Sequence, residues 1–190
     1  MPTPLVTLAE YKAYKKLTKT DNDTELNFLI NSVSALVKTY VGHTFIDYFS
    51  TPKVEVFNTT SSINVLQLKE WPIVNITSVE SRLTYEDGYV VVDPADYFVD
   101  TYTDSIYKNS SFWPSGFGAV KVTYTAGYAA TPDDIKLATL DLINHYFKEE
   151  YKERKSIGSS SIDNSTTRSA AVQTEWPIHI SRVLDFYRNV

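Results

Sequence analysis

The chain has 190 residues, no cysteine, 43% hydrophobic and 22% charged residues, and a formal net charge of -5. That composition rules out disulfides, thiolate metal sites and a cysteine nucleophile, and it is not the low-hydrophobicity signature of a disordered chain. The net acidity argues against general phosphate attraction by the whole chain, and the length fits one ordinary domain with appendages.

The opening Met1-Pro2-Thr3-Pro4-Leu5 has no basic segment followed by an apolar run. No stretch approaches the roughly 18 apolar residues that a bilayer span needs, so a soluble chain made in the cytosol, with no membrane partner, is expected. Thr7-Leu8-Ala9-Glu10 has the form of a capping box, which predicts a short helix over 7–17. Asp21 to Glu25 then supply caps and early acids, and Leu26, Leu29, Ile30, Val33, Leu36, Val37, Tyr40 and Val41 recur at helical spacing. A second helix is predicted over 21–41, ended by Gly42 in the left-handed conformation.

The period then changes to two. Val54, Val56, Ile63, Val65, Leu66 and Leu68 flank the polar stretch Asn58 to Ser62, which suggests a hairpin. Ile73 to Tyr85 and Tyr89 to Val92 bracket the turn signal Glu86-Asp87-Gly88, and Tyr97 to Tyr102, Ser105 to Lys108 and Ala119 to Thr125 continue the strand pattern. Residues 110–118, with Trp113-Pro114-Ser115-Gly116 inside them, read as a loop. Thr131-Pro132-Asp133-Asp134 restarts the helical pattern, predicting the longest helix of the chain over 132–154. The fold class is therefore α+β: a small helical bundle with a β-rich middle over 53–126, all within a domain spanning 1–155.

Residues 156–175 turn to Ser, Thr, Asn and Gly, the composition of a flexible linker, with a coil reach of roughly 25 Å and about 65 Å when pulled straight. Beyond it, Trp176, Pro177, Ile178, Ile180, Val183, Leu184, Phe186 and Tyr187 form a short apolar motif over 176–190. Two readings stay open: it folds back on its own domain, or it reaches a neighbouring chain.

No catalytic constellation assembles from the residues, and no cofactor is expected. His43, His145 and His179 have no partner at metal-ligand or catalytic spacing and read as ordinary surface or half-buried side chains. Asp93, Asp96 and Asp100 do not match a calcium loop, so no metal site is expected. Residues 53–132 carry five basic and nine acidic groups, with Glu86, Asp87, Asp93, Asp96, Asp100 and Asp104 prominent. They are either solvated loop carboxylates or a surface that lets DNA pass without sticking. Fourteen Tyr, nine Phe and three Trp suit a core and subunit contacts, and could alternatively form a sugar-binding platform. A hydrolase built on paired carboxylates is the remaining enzymatic alternative.

The order of these elements, with several motifs, resembles the head-tail connector (adaptor) family of tailed bacteriophages. Leu5-Val6-Thr7-Leu8-Ala9-Glu10-Tyr11-Lys12 is similar to that family's opening helix, and the 21–41 helix with Gly42-His43-Thr44-Phe45 to its second helix and exit. The segment Leu66 to Val79 is similar to its central strand, and Val120 to Tyr128 followed by Pro132 to Ala138 to its strand before the long helix. Trp176-Pro177 through Arg188 resembles the family ending, whereas 86–118 are longer and more aromatic than in a minimal member. The resemblance implies a non-enzymatic virion component at the neck: a ring of twelve identical subunits beneath the portal, joining it to the stopper or tail-completion protein. It further implies that DNA passes transiently through the channel, with Asp96, Asp100 and Asp104 as possible channel-facing acids. The tail, through Trp176, Ile178, Ile180, Val183, Leu184, Phe186, Tyr187 and Arg188, would engage the portal.

Overall fold

The computed structural model describes residues 3–148, 156–157, 160–161 and 176–188. The chain divides into two compact units, one formed by 1–42 with 131–190 and the other by 43–130.

The first unit is helical. Helix α1 (Leu8–Lys15) begins with the predicted capping box: Thr7 Oγ1 accepts from the Glu10 backbone, and the Glu10 carboxylate accepts from the Thr7 backbone. Helix α2 (Asp23–Val41) ends at Gly42, whose φ of 78° is the left-handed conformation a Cβ would oppose. Helix α3 is Asp133–Phe147 and helix α4 Ile178–Phe186. Among the described residues α2 has 19 residues and α3 has 15; the extension over 149–154, on which the expectation that α3 is the longest depends, lies outside them. Tyr11, Leu26, Ile30, Val37, Leu142 and Ile143 are among the buried side chains at helical spacing. The segment before α1 is stitched down by Leu5 N–H to Ser34 Oγ (3.0 Å), Thr131 Oγ1 to the Leu5 carbonyl (2.8 Å) and Lys38 Nζ to the Thr3 carbonyl (2.7 Å). Of the expected linker, Ser156–Ile157 (β8) and Ser160–Ser161 (β9) pair antiparallel, and the rest lies outside the described residues.

The second unit contains two antiparallel sheets. Its strands are β1 (Lys53–Thr59), β2 (Val65–Gln67), β3 (Ile73–Ser81), β4 (Val90–Val91), β5 (Tyr97–Asp100), β6 (Ser105–Lys108) and β7 (Gly116–Ala126). One sheet has the order β1-β7-β3-β4 and the other β2-β6-β5. Alternation along β7 turns Val120, Val122, Tyr124 and Ala126 inward, where they meet Leu66, Leu68, Ile106 and Trp113 in one core. The turn signal at 86–88 falls between β3 and β4, although β3 ends at Ser81 and not at Tyr85, and β5 and β6 lie in the stretches expected as strands and pair with each other.

The hairpin expected over 54–68 is not formed. Strand β1 pairs with β7, Val54 opposite Thr123, while β2 pairs with β6 in the other sheet. The polar stretch 58–62 carries the chain between sheets, because alternation shows that a segment is a strand but not which strand it pairs with. The loop expected over 110–118 ends at Ser115, and β7 starts at Gly116 opposite Thr59, where the register shifts at an irregularity.

Candidate functional site

Helix α4 lies within the first unit and divides the predicted tail residues in two. Ile180 and Leu184, four residues apart, are buried in the unit's own core, while Ile178 and Phe186 stand out into solvent. Side chains at both ends fix the helix. Trp176 Nε1 donates to Tyr146 Oη (3.2 Å) and its ring packs against Tyr40 at 4.9 Å. Tyr40 Oη donates to Asp185 (2.7 Å), Arg188 lies over the Tyr40 ring, and Tyr187 Oη donates to Asp134 at 2.9 Å. Val183 is half-buried. The tail of this chain thus docks on its own unit through one face and presents a second face outward.

The three acids of the β5–β6 region do not gather into one site. Asp100 closes the tight turn, accepting from Tyr102 N–H (2.9 Å) and Thr103 Oγ1 (2.8 Å), and those hydrogen bonds hold its carboxyl below the usual range. Asp104, at φ 52°, accepts the Ile73 N–H at 2.9 Å. Asp96 is the exposed member, 3.3 Å from Lys108 Nζ. Two of the three therefore hold the backbone as well as carrying charge.

A third cluster is one the sequence does not reveal. Glu70 is buried, with side-chain exposure of 3%, and its Oε2 receives Thr44 N–H (3.0 Å) and Thr44 Oγ1 (3.0 Å), and lies 2.7 Å from His43 Nδ1. Lys53 Nζ bridges Glu70 (3.1 Å) and Glu55 (2.8 Å), and Tyr124 Oη donates to Glu55 (2.7 Å) while accepting the Glu70 N–H. Burial pushes the Glu70 carboxyl upward, but His43, the Thr44 N–H and Lys53 outweigh it and hold it at about 2. Burial, with Glu55 alongside, drives the Tyr124 phenol far above its usual range. His43 is buried rather than at the surface, stacked on Trp71 with ring centroids 4.5 Å apart and edge-on to Phe45. His145 is likewise buried, contrary to expectation, and only His179 of the three is exposed. The sequence places His43, Glu55, Glu70 and Tyr124 on different elements, so their meeting depends on strand order rather than on spacing.

This cluster ties strands and loops of the second unit together. A carboxyl held at about 2 by several donors is a poor proton donor near neutrality, and Glu55 and Glu70 share one lysine instead of flanking an open cleft. Among the described residues there is no group of three or more His, Cys, Asp or Glu side chains that could hold a metal ion, and no helix is long and apolar enough to cross a membrane.

In the turn from β3 to β4 one arginine clasps the backbone among exposed apolar side chains. Arg82 lies between the rings of Tyr85 and Tyr89, 4.4 and 4.7 Å from their centroids, and donates to the Gly118, Tyr85 and Phe117 carbonyls. Gly118, at φ +58°, leaves room for that guanidinium: a Cβ there would fall 2.6 Å from Arg82 Nη2. Around this clasp Leu83, Tyr85, Val90, Val91 and Phe117 are exposed.

Comparisons with known proteins converge on one kind of molecule. The chain is 25% identical over 186 residues to the head completion protein of Escherichia phage T5, covering 98% of this chain and 99% of that one. Among solved structures, the neck of an empty gene transfer agent (GTA) particle with C6 symmetry contains a chain that superposes with a TM-score of 0.64 at 14% identity, over 98% of this chain and 90% of that one. The neck of the native particle with C12 symmetry gives 0.61 at 14% identity, over 100% and 96%. At such identity the likeness is one of fold. The sequence model of head completion proteins matches residues 4–190, and the chain belongs to the head completion protein family.

Proposed function

We propose that this chain is a structural component of a phage neck, completing the head and connecting it to the tail, and that it acts by assembly without turning over a substrate. The observation that carries this reading is the family match over residues 4–190, supported by a phage T5 relative aligned along almost its whole length. The likeness to chains in gene transfer agent necks of C6 and C12 symmetry supports a ring of identical subunits, for which we take twelve copies. Its neighbours in that reading are the portal protein on the head side and a stopper or tail-completion protein on the other, with DNA passing through the ring.

Within this reading the outward face of α4 contacts the portal. Ile178 and Phe186 are 56% and 86% exposed on a helix whose other face is already packed, the arrangement of an anchor held ready for a partner. Asp96, Asp100 and Asp104 keep the lumen acidic, so that phosphates are repelled rather than bound. In this reading 1–155 form the body of the ring, and 156–175, linker-like in composition, lead to the tail.

Counting the copies of this chain in an image of the purified neck tests the assignment: a ring of twelve between head and tail is expected, and particles lacking the chain from the neck would overturn it. The portal contact is tested by Phe186→Ser and Ile178→Ser, which should leave the protein folded and reduce its attachment to heads.

A further inference from the structure

The four-stranded sheet has two open edges of matching character. At one end, β1 pairs only with β7 among the described residues, and its Val54 and Val56 are 56% and 55% exposed on the face turned away from the core. At the other end, β4 pairs only with β3, and both of its residues, Val90 and Val91, are exposed, at 68% and 67%. Tyr89-Val90-Val91-Val92 is an uncharged, proline-free run of strong strand formers, and no proline or outward charge guards β1 between Val54 and Val56. Folded proteins protect such edges or use them to accept another strand, because each presents backbone donors and acceptors in a row beside apolar side chains.

The charges around the two edges are complementary. Residues 43–130 hold five cations and ten acids. Lys53, Lys108 and Lys121 are ion-paired, and Arg82 is held by three carbonyls. Lys69 is exposed and has no ion pair among the described residues; its backbone N–H meets the Glu55 carboxylate, which places it beside β1. The β4 run is instead bracketed by Glu86 and Asp87 before it and Asp93 after it. Lys69 thus stands beside one edge, and Glu86, Asp87 and Asp93 beside the other.

We propose that β4 of one copy pairs with β1 of the next, so that the sheet continues from copy to copy. The two edges are different surfaces, so the contact is head-to-tail, the kind that closes into a ring when the rotation between copies permits. The arrangement pairs the open backbone groups of Val91 with those of β1 and sets Val54, Val56 and Val91 side by side on one face. β1 and β4 run in opposite directions within one copy, and the small rotation between neighbouring copies of a large ring keeps that sense, so the seam is antiparallel and sets Val91 beside β1 valines of the same face. The inference rests on the ring reading above and adds to it a named seam.

The absence of cysteine supplies a clean test. Neighbouring strands place facing residues about 4.5–5.5 Å apart, within the Cα separation of roughly 4.4–6.8 Å that a disulfide spans. Val54→Cys with Val91→Cys, and Val56→Cys with Val91→Cys, are introduced into the full chain, and particles assembled with each are oxidised and blotted for this chain on a non-reducing gel. Expected is a ladder at integer multiples of the chain mass for at least one double variant, with each single variant running as monomer. Laddering of single variants to the same extent would mean a symmetric contact and overturns the seam. Particles that hold the chain yet give no ladder from either pair overturn the seam and leave the ring standing. Absence of the unsubstituted chain from particles overturns the ring reading itself.

Discussion

The two units of this chain solve the problem of polar groups in opposite ways. Residues 1–42 with 131–190 contain thirteen cations and thirteen acids, and their described charged side chains mostly lie at helix surfaces, with pairs such as Lys136–Glu10 and Lys12–Asp23. Residues 43–130 carry the whole formal charge of -5, yet tie buried Glu70 to half-buried Lys53 and Glu55 in a single network. The first unit depends on apolar burial, the second on apolar burial plus a buried ionic knot, so acid and single-atom changes should separate them.

The largest effect is expected at Glu70. Its ordinary value of 4.5 falls to about 2 in the fold. A depressed carboxyl contributes stability that is fully present above about 4.5 and is lost as pH falls through about 2. The difference corresponds to about 3 kcal/mol. Glu70→Gln removes the charge that Lys53 and His43 face and should destabilise the second unit by about 3 kcal/mol near neutral pH, in the range for breaking a buried pair. Trp71 and Trp113 lie in the second unit and Trp176 in the first, so urea unfolding followed by fluorescence of single-tryptophan variants resolves the two. The comparison breaks if the variant loses stability between pH 4.5 and pH 2 as steeply as the parent does.

The first unit's counterpart is α4. Leu184 is fully buried, so Leu184→Ala should cost about 2–4 kcal/mol through lost burial and a residual cavity. Phe186→Ala, two residues on and on the opposite side of the helix, with a side chain 86% exposed, should change the thermal midpoint little. Equal losses from the two would mean that the helix sits differently on the unit, and would remove the outward face on which the proposed portal contact depends.

How much of this was legible in the sequence follows from the range of each interaction. The capping box at Thr7 and Glu10, the Gly42 terminus and the α2 core positions Leu26, Ile30, Val33, Val37 and Val41 are local, fixed by spacings of three and four residues, and they are found where the residues place them, whereas Leu36 of the same pattern is exposed. Strand positions were also legible, because alternation is local. Strand partners were not: β1 finds β7 across some sixty residues, and the hairpin suggested by Val54 to Leu68 fails because nothing in alternation encodes a partner. The Glu70 cluster is hidden for the same reason, since Thr44, Glu70 and Tyr124 meet only once the sheet order is set. Asp100 and Asp104 look like surface charge in the sequence, and their roles as acceptors for Tyr102 and Ile73 N–H groups emerge only from the turn's geometry.

The smallest effect on stability is expected at Asp96, and that makes it the cleanest probe of the second unit's acidity. Its side chain is 63% exposed and its partner Lys108 lies 3.3 Å away, a pair of the exposed class that contributes about 0–1 kcal/mol and less at high salt. Asp96→Asn should therefore shift the urea midpoint within error. Asp104→Asn keeps an oxygen for the Ile73 N–H but loses the charge that strengthens that bond, so any change in DNA release from it mixes electrostatics with loop geometry. Asp96→Lys, in contrast, changes charge by two without removing a backbone contact. If these acids face the channel, DNA release from particles carrying Asp96→Lys slows, and the slowing fades as salt screens the phosphates. Unchanged release at low salt would place Asp96 outside the channel and leave its carboxylate as a solvated partner of Lys108.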